Sequence, residues 1–188
     1  MPATMIPTVD GFAVPVDIAG PETGSVVVLL GAAQQPAAAY EALCERLHTA
    51  NLRTVMMVTD PRLTPKSVLG IMDVIGVRWA VLVGDRAGAD LAWELAASRL
   101  DRFTGLVVID RGHPRVGDPS GHQGASDCPP VEMNTTALVS SPTARATVAA
   151  SQRFVYGDFR MVDMLARRNV SESTAQLAAE IVMRTSTW

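Results

Sequence analysis

Short apolar runs alternate with longer stretches of helical spacing along this chain. Val26-Val27-Val28-Leu29-Leu30 is apolar at every position, as a strand buried on both faces requires. Leu52–Val58, Ala80–Val83 and Leu106–Ile109 read the same way, and Thr135–Val139 and Phe159–Leu165 are weaker strands. Between them, Tyr40, Leu43, Cys44 and Leu47 fall at i, i+3, i+4 and i+7, and Val68, Ile71, Met72 and Ile75 share one helical face in the same way. Leu91, Ala92, Leu95 and Ala96 mark a third helix, and Leu177, Ile181 and Val182 the last. Thr64-Pro65 and Ser141-Pro142 each offer an N-cap followed by proline at the first helical position. Ser173 with Gln176 fits a capping box. Phe12–Ile18, ahead of Gly20-Pro21, reads as an edge strand and a turn.

Strand–helix–strand alternation predicts a mainly parallel, twisted sheet with helices on both faces, a three-layer α/β sandwich. One segment breaks the rhythm. Arg111–Met133 is 23 residues long with four Gly and four Pro, and loops of that length are functional or disordered more often than structural. It follows the strand Leu106–Ile109, so it hangs at the carboxyl edge of the sheet, where open α/β folds bind ligands.

Composition narrows the setting. With 48% hydrophobic and 19% charged residues over 188 positions, the chain fills one core without a disulfide or metal staple. We expect a single domain over residues 1–188. A net charge of -3 and 5% aromatics argue against nucleic acid as a partner. Cys44 and Cys128 form no CxxC and read as reduced thiols. Met1–Gly11 shows no secretory pattern, and the longest apolar run, Val26–Ala33, is eight residues against the about 20 of a membrane helix. The expectation is a cytoplasmic protein away from membranes. His113, Asp118, His122, Asp127 and Cys128 in the long loop match no zinc spacing, so neither a metal nor a cofactor is expected. Arg111 and Arg115 read as solvated, and Trp79, Trp93 and Trp188 as core or surface-contact residues.

The most informative stretch runs from Ala80 to Ala92, where an apolar strand enters a helix through Gly84-Asp85-Arg86-Ala87-Gly88. The paired glycines suit a turn too tight for a side chain on either side of its central residue. This resembles the Gly-x-Ser-x-Gly nucleophile elbow of the α/β-hydrolases. Other segments are similar to that superfamily in chain order. Val28-Leu29-Leu30-Gly31-Ala32 sits where the family has a strand leading to its oxyanion loop, and Leu106–Asp110 where a strand precedes the lid. Thr136–Val139 matches the strand that presents the acid, and Met161–Val170 the last strand with its histidine loop. The resemblance implies an α/β-hydrolase fold over most of residues 12–185, with residues 111–133 in place of the lid.

The departures point away from the family's chemistry. Arg86 stands at the nucleophile position, and an arginine cannot attack a carbonyl. Arg168 matches the histidine, and Ser140-Ser141 follows Val139 where an acid is usual. The family's order is nucleophile, acid, histidine, yet the last 66 residues contain no histidine. Asp85 could serve as an aspartate nucleophile if the register were shifted by one, but Val83 would then replace a small residue and the base would still be absent. The resulting expectation is a non-catalytic protein that binds a small, anionic ligand or a protein partner at the former active site. Gly31, Ala32, Asp85, Arg86, Ala87, Asp110 and Arg168 are the candidate ligand-binding residues. The plainer alternative has Arg86 plugging the pocket, paired first with Asp110, or with Asp85 or Asp90. Two other functions stay open: an active hydrolase on a small ester or related acyl substrate, its base drawn from His113 or His122, and a structural subunit that dimerises with an active relative.

Overall fold

The computed structural model describes residues 3–117, 127–164 and 173–186. Eight strands are present: β1 Thr4–Pro7, β2 Ala13–Ala19, β3 Ser25–Gly31, β4 Leu52–Val58, β5 Ala80–Asp85, β6 Phe103–Ile109, β7 Thr135–Val139 and β8 Phe159–Asp163. Five α-helices are interleaved with them: α1 Glu41–Thr49, α2 Pro65–Val74, α3 Ala87–Ser98, α4 Pro142–Ala150 and α5 Thr174–Thr185. The strands form one sheet in the order β1-β2-β4-β3-β5-β6-β7-β8. From β4 to β8 across the sheet every pairing is parallel, and only β2 runs against the rest, antiparallel to both β1 and β4.

The apolar runs occupy the middle. Every residue of β5 and β7 is buried, and so are the last five of β3 and of β6. Strand alternation sends Val28, Leu30, Leu82, Leu106 and Val108 to one face and Val27, Leu29, Val81, Val83 and Val107 to the other. Helices α2 and α3 cover the first face, where Trp93 is fully buried, and α1 and α5 cover the second. Thr64 and Ser141 cap α2 and α4 as expected, their hydroxyls accepting from the N–H groups of Ser67 and Ala144 at 3.1 Å each.

Some expectations need correction. Phe12–Ile18 is not an edge: the short strand β1, which has almost no apolar pattern, pairs outside it. Ser173 takes the N-cap of α5 but makes no capping bond with its side chain, and Gln176 Nε2 reaches the Asp163 carbonyl at 2.8 Å. The last strand ends at Asp163, and Leu165 lies outside the described residues. Trp79 is 58% exposed, whereas Trp188 lies outside the described residues. No helix among the described residues is long and apolar enough to cross a membrane.

Both described ends of the 111–133 segment are anchored to the body of the protein. Val131 forms an isolated bridge with Val155. His113 is fully buried, with its ring 4.8 Å from that of Phe154 and 5.4 Å from that of Trp93. The Arg115 N–H donates to His113 Nδ1 at 3.2 Å, so the proton sits on Nε2, which donates to the Pro129 carbonyl at 2.8 Å. Burial holds this imidazole below the usual histidine range. A neutral ring with both nitrogens engaged is a packing element rather than a free base.

Candidate functional site

The strand β5 stops at Asp85, and α3 begins two residues later. Arg86 makes the turn with φ 50° and ψ -107°, a positive φ that is uncommon for a residue with a side chain. The turn is held by close packing on both sides. A Cβ on Gly84 would stand 2.5 Å from Ala89 Cα, and one on Gly88 would stand 2.0 Å from the Leu30 carbonyl oxygen. The Arg86 N–H donates to the Ile109 carbonyl at 3.2 Å, and its own carbonyl accepts from the Ala89 N–H at 3.0 Å. The backbone is therefore that of an elbow with an arginine at its apex.

The side chain of Arg86 is 42% exposed, and its Nε lies 3.8 Å from Asp85 Oδ1. That is an ion pair without a hydrogen bond. The expected first partner, Asp110, is engaged elsewhere. Its Oδ1 accepts from the Ser140 N–H at 2.6 Å and its Oδ2 from the Ser140 hydroxyl. Asp110 follows β6 with φ 56°, and its carboxylate is held at Ser140, just past the end of β7. The serine that follows Val139 thus meets an acid carried by the neighbouring strand.

Behind the elbow lies a buried polar chain that the sequence reading missed. The Ala32 N–H donates to Tyr40 Oη at 2.8 Å, and the Tyr40 hydroxyl donates to Asp85 Oδ2 at 2.6 Å. Tyr40 is 1% exposed and Asp85 fully buried. Gly31 makes room for it, since a Cβ there would stand 2.9 Å from the Tyr40 ring. Burial pushes the Asp85 carboxyl above its ordinary range, although the Tyr40 hydroxyl and Arg86 pull it down. Burial and the neighbouring Asp85 push the Tyr40 phenol up as well, so it stays protonated. Asp85 Oδ1 has no hydrogen-bond partner among the described residues. The one available signal was Tyr40 itself, a tyrosine at a core-facing helical position whose hydroxyl must find a partner when buried. An Asp85 sealed behind the turn also answers the register question: Arg86, not Asp85, occupies the apex.

In the α/β-hydrolases an oxyanion is held by the N–H after the nucleophile and by an N–H of the loop after the third strand. In this chain the Ala32 N–H, just after β3, is already spent on Tyr40.

In front of the elbow is a cavity of about 360 Å³, lined by Arg86, Asp110, Arg111, Ser141, Thr143 and Thr147. Arg111, expected to be solvated, belongs to it. Its backbone carbonyl accepts from Trp93 Nε1 at 3.2 Å, and its Nε lies 3.2 Å from Asp90 Oδ1. The first turn of α4 opens on the same space, and a helix start presents partial positive charge and free N–H groups. The structure therefore brings Asp85, Arg86, Ala87 and Asp110 to one end of the sheet with Gly31 and Ala32, while Arg168 lies outside the described residues. No group of three metal-ligating side chains occurs among the described residues.

No family model matches the chain, and no curated protein matches it in sequence. Solved structures do match. Epoxide hydrolase A from Mycobacterium thermoresistibile superposes with a TM-score of 0.80 at 12% identity over 98% of both chains. The epoxide hydrolase VrEH1 from Vigna radiata gives 0.76 at 13% identity, covering 99% of this chain and 98% of that one. The enol-lactonase from Burkholderia xenovorans LB400 gives 0.71 at 14% identity, covering 93% of this chain and 97% of that one. Strand order, elbow geometry and these superpositions agree that the chain has the α/β-hydrolase fold.

Proposed function

We propose that this protein is non-catalytic and binds a small anionic ligand at the carboxyl edge of its sheet. The observation that carries the reading is the arginine at the apex of an otherwise intact elbow. A guanidinium stays protonated and is no nucleophile. Tyr40 strengthens the case, because it fills the position from which Ala32 would otherwise stabilise an oxyanion. The ligand reading rests on the cavity in front of the elbow. Arg86 and Arg111 each approach an acid through Nε, and both guanidinium groups line the cavity, where they would meet a carboxylate or phosphate group. Ser141, Thr143 and the start of α4 add donors from the opposite wall. Asp85 and Asp90 sit behind the two arginines and Asp110 beside them, so the site suits one anionic group rather than a polyanion.

The test has two arms. Hydrolysis of p-nitrophenyl acetate should stay at the buffer rate for the native protein and for Arg86→Ser, which restores a hydroxyl without a base. Serine-specific labelling by a fluorophosphonate probe at the native protein would overturn the non-catalytic reading. In calorimetric titration, benzoate or methylphosphonate should bind saturably, and Arg86→Gln with Arg111→Gln should weaken it by at least about tenfold. Absence of saturable binding by either anion, with hydrolysis at background, would remove the ligand half alone.

A further inference from the structure

His113 is not part of the cavity wall at Arg86, yet four stretches of chain meet on it. Its ring lies between Trp93 of α3 and Phe154, in the turn Ser151–Phe154 that follows α4. Its backbone N–H donates to the Ser151 hydroxyl at 2.8 Å, which donates in turn to the Thr147 carbonyl at 3.0 Å, and Thr147 lines the cavity. Nδ1 is held by the Arg115 N–H and Nε2 by the Pro129 carbonyl, with Cys128 Sγ 3.6 Å from Nε2. One imidazole therefore joins the two described ends of the 111–133 segment. Two residues before it, Arg111 lines the cavity, and its carbonyl is bound by the same Trp93.

This arrangement suits the neutral ring alone. A proton on Nδ1 would point at the Arg115 N–H, donor against donor. The charged groups around the ring give a cation no support. Arg115 and Arg153 lie over Phe154, 5.7 and 4.8 Å from its ring centre. From α3, Asp90 pairs with Arg111, and the Glu94 charge adds to burial in pushing the Cys128 thiol up to about 11. Asp127, beside Cys128 in the chain, is exposed. No carboxylate pairs with the imidazole among the described residues, and a buried, unpaired cation is costly. We propose that His113 is an acid-operated latch: protonation expels its ring from between Trp93 and Phe154, parts residues 111–116 from residues 128–131, and takes Arg111 from its place in the anion cavity. The last step rests on the ligand reading above; the latch itself does not.

Cys128 reports the opening, because it is buried at the joint. Its reaction with 4,4′-dithiodipyridine, a reagent that works in acid, is followed by mass spectrometry of the Cys128 peptide. Each rate is divided by that of glutathione at the same pH. Opening linked to one histidine should raise the normalised rate about tenfold between about pH 6.5 and about pH 5. Cys44 packs with the core on the other face of the sheet, and its rate from the same digest should stay flat. Glu94→Gln should keep the rise. His113→Gln, which retains a donor toward Pro129 and does not titrate, should abolish it, and in the native protein the His113 ring signals in NMR should titrate across the same window. A flat Cys128 profile, an equal rise at Cys44, loss of the rise in Glu94→Gln, or a His113 ring that does not titrate with the rise would each overturn the latch. Benzoate affinity should fall over that window, whereas neutralising Asp85 and Asp90, whose carboxyls burial raises, would strengthen it. A rise at Cys128 with unweakened benzoate binding would overturn the link to Arg111. No benzoate binding at any pH would remove the ligand reading, with the latch still decided by Cys128.

Discussion

Gly88→Ala is expected to cost more than about 4 kcal/mol, at the extreme of what single substitutions do. The added Cβ would stand 2.0 Å from the Leu30 carbonyl oxygen, a backbone atom that cannot swing aside. Relief requires α3 to lift from β3. That helix seals one face of the sheet with Ala89, Ala92, Trp93, Leu95 and Ala96, all fully buried, so lifting it opens the core along its length. The displacement also reaches Arg86, whose positive φ persists only while its surroundings hold it. Urea denaturation followed by tryptophan fluorescence checks this, and so does the soluble yield. A midpoint within about 1 kcal/mol of the native protein would mean that the glycine is not what lets helix and strand meet.

Tyr40→Phe should be the second most damaging change, at about 2–5 kcal/mol near neutral pH. Losing one hydroxyl orphans two groups. The Ala32 N–H loses its acceptor, and the buried Asp85 carboxylate loses its one hydrogen-bond donor among the described residues. The pH dependence has a definite sign. Burial already raises the Asp85 pKa in the folded state, so ionised Asp85 destabilises the fold as pH climbs through that raised value. Removing Tyr40's hydroxyl takes away a bond that pulls the pKa down, so the penalty should widen toward neutral pH and shrink in mildly acidic buffer. Asp85→Asn removes the charge while keeping an acceptor for Tyr40. In the double variant the cost of Tyr40→Phe should fall well below its cost alone, a coupling measurable by a double-mutant cycle in urea at pH 7. A cost that is the same with and without Asp85→Asn, or flat across pH, would show that the buried carboxylate does not drive the effect.

The elbow shows how far a sequence can carry function in this protein. Gly84, Arg86 and Gly88 stand at fixed spacing between an apolar strand and a helical pattern, and that spacing with its resemblance to an elbow was enough to place the turn, whose apex Arg86 has a positive φ. The parallel sheet was legible for the same reason: strands buried on both faces carry unbroken apolar runs, Val26–Leu30 in β3 and Ala80–Val83 in β5, whereas Thr135 and Thr136 left β7 a weaker signal. β1 was not legible because an edge strand with a single buried residue leaves no periodic trace. At Ser173 the expected side-chain cap is not formed, and Gln176 Nε2 donates to the Asp163 carbonyl, a partner supplied by a distant strand.

Local pattern thus determined the layers, the elbow and the absence of histidine from the last third of the chain. Partners were decided only in three dimensions. Arg86 was expected beside Asp110, but Asp110 follows β6 in a left-handed conformation and is held at Ser140, leaving Arg86 with Asp85. Tyr40 lies 45 residues before Asp85, and Arg111 follows a strand end rather than any motif, yet both reach the elbow. The physical reason is the parallel sheet itself. It brings the carboxyl ends of β3, β5, β6 and β7 side by side, so the side chains that meet there come from separate stretches whose spacing the one-dimensional pattern does not record.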